Sequence, residues 1–230
     1  MSWRAVPGPE GPALLAARGR DAALGTVVVV LTVGVFAAVG DHGTLTSIQR
    51  LDDAWLRLMI SGQAPPLTAI AKVFNILGLV YVTLPVRIAV AGFLALRRRW
   101  WNLAAFTAAV VLSEVLIGVL KGVYERPRPP ESLVVTTGAS FPSGHAVAAS
   151  ATVVAAVIAL VPPGRRRAWW ALAAVAFSIL MGLSRAYLGA HWLSDAVAGI
   201  LLGISCAVVT ALIVGQIQRS AEGRQGAAWK

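Results

Sequence analysis

The chain has 230 residues, 57% of them hydrophobic and only 13% charged, with a formal net charge of +10. That charged fraction is about half of the ~25% usual in soluble domains, too little to coat a water-facing surface, so an ordinary soluble domain is excluded and a bilayer is the expected solvent. The length suits one domain with a sizeable core, and the lone Cys206, set in an apolar run, excludes a disulfide framework.

Residues 1–21 contain Pro7, Pro9, Pro12 and three arginines and read as a flexible N-terminal tail. Residues 22–39 form the first uncharged apolar run, just long enough to span. A secretory signal has a shorter apolar core, so a retained helix is expected. Residues 40–66 are a polar connector in which Ile48, Leu51, Trp55, Leu58 and Met59 recur at helical spacing, with Asp52, Asp53 and Arg57 between them. That pattern predicts a short amphipathic helix lying on the interface. Residues 67–96 are 30 in number, and splitting them at Pro85 would leave two pieces too short to cross. One long tilted or kinked helix is predicted there. Further spans are expected at 100–120, 146–161, 168–183 and 192–217.

The fold class is therefore all-α, a polytopic membrane protein with six transmembrane helices. Its expected organisation is an N-terminal tail over 1–21, a six-span domain over 22–217 and a C-terminal tail over 218–230. Arg4, Arg18 and Arg20, the clusters Arg97–Arg98–Arg99 and Arg165–Arg166–Arg167, and Arg219, Arg224 and Lys230 all fall on one side of those spans. Both internal clusters run into tryptophan pairs, Trp100–Trp101 and Trp169–Trp170, as in an interfacial belt. The positive-inside rule puts both termini in the cytoplasm of a multi-pass plasma-membrane protein. The positive charge is then a topology signal, and no nucleic-acid partner is implied.

The opposite, extracytoplasmic side collects the reactive residues. Lys121, Arg126 and Arg128 stand in or beside one loop, Phe141-Pro142-Ser143-Gly144-His145 opens the fourth span, and Ser184-Arg185, His191 and Asp195 frame the start of the sixth. Lys121, Arg128 and Arg185 would neutralise and orient a phosphate dianion. Ser143 and Gly144 precede a helix, whose free N–H groups and positive dipole end also favour an anion. His191 and Asp195 are four apart on one helical face, so the carboxylate can fix the imidazole tautomer and leave the other nitrogen free to attack. His145 at a helix start could protonate a leaving oxygen. His42, in the first outer connector, is read as an ordinary interfacial residue.

At these positions the chain resembles the type 2 phosphatidic acid phosphatase superfamily, in its membrane lipid phosphatase branch. The three parts of that family's signature occur in order: Lys121 through Arg128-Pro129, Pro142-Ser143-Gly144-His145, and Ser184-Arg185 with His191 and Asp195. The resemblance implies that His191 is a nucleophile forming a phosphohistidine, that Asp195 orients it, and that His145 acts as acid and then base. It implies that Lys121, Arg128, Ser143, Gly144 and Arg185 hold the phosphate, with no cofactor and no metal. The implied partner is a lipid phosphate: a polyprenyl diphosphate such as undecaprenyl diphosphate, phosphatidate or phosphatidylglycerol phosphate, with outer-facing carrier-lipid recycling the first expectation.

Three rivals are weaker. A metal-dependent phosphatase would need a cation to settle among three cationic side chains. A soluble haloperoxidase of the same superfamily does not fit six spans. A non-enzymatic lipid-binding or transport protein of the same fold would explain Arg87 and Glu114 inside spans, but it would not require His145, His191 and Asp195 together. The plainer reading of Arg87 and Glu114 is an ion pair between adjacent helices.

Overall fold

The structure is a computed structural model that describes residues 14–15 and 19–227. Arg4, Arg18, Lys230 and most of the expected N-terminal tail lie outside the described residues. The described residues form eight helices and no strand: α1 (Arg20–Gly40), α2 (His42–Ser61), α3 (Pro65–Leu77), α4 (Val80–Leu96), α5 (Trp100–Tyr124), α6 (Gly144–Leu160), α7 (Arg165–Tyr187) and α8 (Leu193–Ala227).

Four of these, α1, α5, α7 and α8, are long and apolar enough to cross a membrane. The pair α3 and α4 qualifies as a fifth only if the two count as one bent span. The single kinked helix expected over 67–96 is therefore two helices meeting at 52°, and the break lies at Gly78–Leu79. Pro85 sits inside α4 and does not cause it. The bend is permitted because Gly78 packs directly on the His145 ring: a Cβ at Gly78 would lie 2.2 Å from His145 Cδ2. The expected fourth span corresponds to α6, whose 17 residues rise about 26 Å, a little short of the ~30 Å hydrocarbon core.

α6 is the central helix and packs against α5, α7 and α8. Its buried face is rich in small residues, Ala146, Ala149, Ser150 and Ala151 among them. α8 meets it with Gly199 and Gly203, four apart. A Cβ at Gly203 would stand 2.5 Å from the Val147 carbonyl, and one at Gly199 2.8 Å from the Ser143 carbonyl. Small residues on both sides let the two backbones approach, which is how helices associate where lipid removes the hydrophobic drive between them. Large apolar residues point outward instead: Val30, Val33, Ile88, Leu112 and Val119 are exposed, as expected of surfaces that face lipid.

Residues 42–61 are helical as expected, but α2 fills most of the connector, and its faces are not those of a helix floating in solvent. Asp41 caps it, accepting from the Thr44 N–H at 2.8 Å. Leu51 and Leu58 are exposed while Asp52 is buried. The apolar stripe is thus divided: Leu51 and Leu58 face outward, Ile48 packs with Leu45 on the cluster around Val39 and Phe141, and the acidic Asp52 faces the protein.

Helices α5 to α8 alternate in direction. The C-termini of α5 and α7 and the N-termini of α6 and α8 therefore meet at one end of the bundle, and Arg97–Arg99 and Arg165–Arg167 lie at the other.

Candidate active site

All eight residues singled out for phosphate chemistry come together at that end. Lys121 is on the last turn of α5, His145 on the first turn of α6 with Ser143 as its N-cap, Arg185 on the last turn of α7, and Asp195 on the first turn of α8. Arg128 and His191 come from the intervening loops.

Asp195 is fully buried. Its Oδ2 accepts from the Ser140 hydroxyl and, at 3.0 Å, from the Trp192 N–H. His191 Nδ1 lies 3.6 Å from the same oxygen and 3.4 Å from Ser140 Oγ. His191 Nε2 faces the other way, 3.2 Å from an Arg128 guanidinium nitrogen. The imidazole is thus steered at one nitrogen and presented to a cation at the other. Burial pushes the His191 pKa down to about 4, and the positive charges of Arg128 and Arg185 add to the shift while Asp195 opposes it. At neutral pH the ring is uncharged and holds a lone pair for attack.

The cations form a cradle. Arg128 donates to the carbonyls of Thr137, Gly138, Ala139 and Ala190, and Lys121 also donates to Ala139. These bonds shape the loop before α6, which Phe141 anchors by packing on Phe36 and Tyr124 with ring centroids 4.9 and 4.6 Å away. Arg185 is buried and donates to the Asn75 side-chain oxygen. Lys121, Arg128 and Arg185 lie close enough for their charges to repel one another.

Several buried polar atoms facing this cradle have no hydrogen-bond partner: Ser143 Oγ, His145 Nε2 and Arg185 Nε. Orphaned groups of this kind are costly unless a ligand satisfies them. A tetrahedral oxyanion would take donors from the serine, the guanidinium and the α6 N-terminus. His145, on the first turn of α6, would face its remaining oxygen. Below His145 a cavity of about 400 Å³ opens between α4, α5 and α6, lined by Gly78, Thr83, Glu114 and Ile117. Among the described residues no group of three or more His, Cys, Asp or Glu is placed to hold a metal.

Four contributors were not visible as site residues in the sequence. Ser140, Asn75 and Asp52 lie outside the signature, and Arg126 had been grouped only by its loop. None of these side chains belongs to a local pattern that marks it for the site. Only the chain's return to the same point, from up to 142 residues away, gives them a role.

The arrangement has relatives. The sequence model of the PAP2 superfamily matches residues 102–219, a stretch that contains all eight site residues. The chain is 27% identical over 163 residues to phosphatidylglycerophosphatase B of Bacillus subtilis (strain 168), covering 69% of this chain and 80% of that protein. Its fold superposes with a TM-score of 0.70 on the crystal structure of a transmembrane PAP2 type phosphatidylglycerolphosphate phosphatase from Bacillus subtilis. That match has 24% identity and covers 81% of this chain and 93% of the other. Aquifex aeolicus LpxE matches with a TM-score of 0.56 and 26% identity, over 67% of this chain and 91% of that one.

Proposed function

The chain belongs to the PAP2 superfamily, and from that premise we propose that it hydrolyses a lipid phosphate at the extracytoplasmic face of the membrane through a phosphohistidine on His191. The observation that carries this reading is the division of labour at His191: Nδ1 lies toward Asp195 and Ser140, and Nε2 faces the cationic cradle. Nε2 attacks phosphorus in line as the bond to the lipid oxygen breaks, and protonated His145 gives its proton to that oxygen. His145 then takes a proton from water, the water oxygen attacks phosphorus, and the P–N bond breaks to release inorganic phosphate. Lys121, Arg128, Arg185, Ser143 and the α6 N-terminus hold the equatorial oxygens, whose charge they match best in the transition state. Three cations at this point repel a divalent metal, so no metal takes part.

Phosphatidylglycerol phosphate is the preferred substrate, because the relative that shares 27% identity bears that specificity in its name. A polyprenyl diphosphate, first in the sequence reading, is the second arm of the test, and phosphatidate is the third. Six crossings, with α3–α4 and α6 counted among them, put both termini in the cytoplasm and the site outside. An N-terminal tail over 1–21, a phosphatase domain over 22–217 and a tail over 218–230 follow from that topology.

The test uses purified protein in detergent with this lipid panel and with p-nitrophenyl phosphate, whose leaving group departs without a proton. On the lipid, His145→Ala and His191→Ala both lose nearly all phosphate release. On the aryl phosphate, His145→Ala gives a burst of nitrophenol and an acid-labile phosphoenzyme, and His191→Ala gives neither. A burst in His191→Ala and none in His145→Ala would exchange the two roles and refute the mechanism.

A further inference from the structure

We propose that Arg126 is a positioning residue for the reaction, holding Asp195 against His191, and that the interfacial helix α2 holds Arg126 in turn; this rests on His191 being the nucleophile. Arg126 follows directly after Glu125, the left-handed residue that ends α5, and its guanidinium is 5% exposed. One nitrogen donates to Asp195 Oδ1 at 2.7 Å and to Ser194 Oγ at 2.7 Å. The other donates to Asp52 Oδ2 at 2.8 Å and Gln49 Oε1 at 2.6 Å, both on α2. Asp52 closes the circuit by accepting from the Ser194 N–H at 2.9 Å, one residue before the catalytic carboxylate. The Trp192 ring lies beneath the guanidinium, 5.6 Å from its carbon.

The charge count gives Arg126 its role. It sits between two carboxylates that are both almost wholly buried, Asp52 at 2% and Asp195 at 0% exposure. Two such anions and one cation leave one net negative charge, which favours the imidazolium character that develops on His191 during attack. Arg126 is ion-paired with Asp195, whereas Arg128 and Arg185 line the phosphate cradle. Without Arg126 the two anions face each other in a dry interior, and one takes up a proton. A protonated Asp195 is a donor. It carries no negative charge to hold the Nδ1 proton or to stabilise the imidazolium that develops during attack, and the Nε2 lone pair loses its aim. Fork geometry matters as well, since one planar group spans both carboxylates and an ammonium cannot.

The experiment compares wild type at these positions, Arg126→Ala, Arg126→Lys, Asp52→Asn and the double variant Arg126→Ala/Asp52→Asn, each as full chain in detergent and each carrying His145→Ala, the background in which the phosphoenzyme accumulates. Readouts are melting temperature, vanadate inhibition, KM, and the rate of the nitrophenol burst. Arg126→Ala is expected to slow the burst by about 100-fold, below the ~10⁴-fold that removing the orienting carboxylate's charge costs in a serine triad. KM and vanadate inhibition should stay within a few-fold of wild type, because Arg126 does not touch phosphate. Arg126→Lys should recover part of the rate. The double variant should be faster than Arg126→Ala, because removing one carboxylate lets the other stay ionised; a merely structural arginine gives no such recovery. A wild-type burst rate in folded Arg126→Ala, or a double variant no faster than the single, overturns the proposal. If Arg126→Ala does not fold, Asp52→Asn decides: a slowed burst at unchanged KM supports the relay, and an unchanged burst overturns it. If the His145→Ala parent itself forms no phosphoenzyme, the His191 reading has failed and the relay falls with it, a result distinct from a burst in that parent that Arg126 does not influence.

Discussion

Removing one partner of the Arg87–Glu114 pair should destabilise the protein unequally, depending on which partner goes. Arg87 on α4 donates to Glu114 Oε1 on α5 at 2.6 Å, to Thr152 Oγ1 on α6 at 2.9 Å and to the Ala148 carbonyl at 3.3 Å. Its side chain is 10% exposed, whereas that of Glu114 is 48% exposed. The sequence suggests two buried charges; only the arginine is buried, and both side chains line the cavity beside His145. Breaking a buried pair costs roughly 3 to 5 kcal/mol. Arg87→Met loses three hydrogen bonds and strands a carboxylate on a membrane-depth flank, so about 3 kcal/mol is expected. Glu114→Gln leaves the guanidinium its two α6 partners and an amide oxygen, so about 1 to 2 kcal/mol is expected. The double variant should cost little more than Arg87→Met alone, a coupling of at least about 1 kcal/mol. A thermal-shift cycle in detergent reads this at about 2–4 °C per kcal/mol for a chain of this size. Additivity within about 0.5 kcal/mol would show that the two side chains do not hold each other in solution.

Gly78→Ala should slow lipid hydrolysis by about 10-fold or more, because the new methyl must displace the His145 ring that it would otherwise meet at 2.2 Å; full activity with an unchanged KM would show that the α3–α4 break yields freely. Phosphate release should survive EDTA and be blocked by vanadate, which mimics the five-coordinate transition state. Loss in EDTA that Mg²⁺ restores would overturn the metal-free mechanism. Cysteines introduced as Ser132→Cys and Gly164→Cys report the two ends of the bundle. An impermeant thiol reagent on intact cells should label the first and spare the second, and the reverse pattern would invert the proposed orientation.

Sequence alone was enough to read the solvent and the family. Hydropathy is a local property, so a helix written in apolar residues is recognisable without its neighbours, and α1, α5, α7 and α8 all lie where unbroken apolar runs predict them. The signature was legible for a similar reason. His191 and Asp195 are four residues apart, the first just before α8 and the second on its first turn, and Ser143, Gly144 and His145 open a helix as consecutive residues, so their mutual geometry is written at short range. Tertiary structure decided what depends on distant segments meeting. Gly78 is a weak local signal for the break, and only the fold shows why a glycine is needed there: the His145 ring, 67 residues later, packs directly on it. Pro85, the residue with the strongest local reason to kink, leaves α4 continuous. Asp52 looked like part of a solvated face until the fold brought Arg126 to it across 74 residues. Long-range polar contacts of this kind leave no periodicity in the chain, because either partner alone is an ordinary surface residue. Their meaning comes only from the desolvated point where the fold joins them.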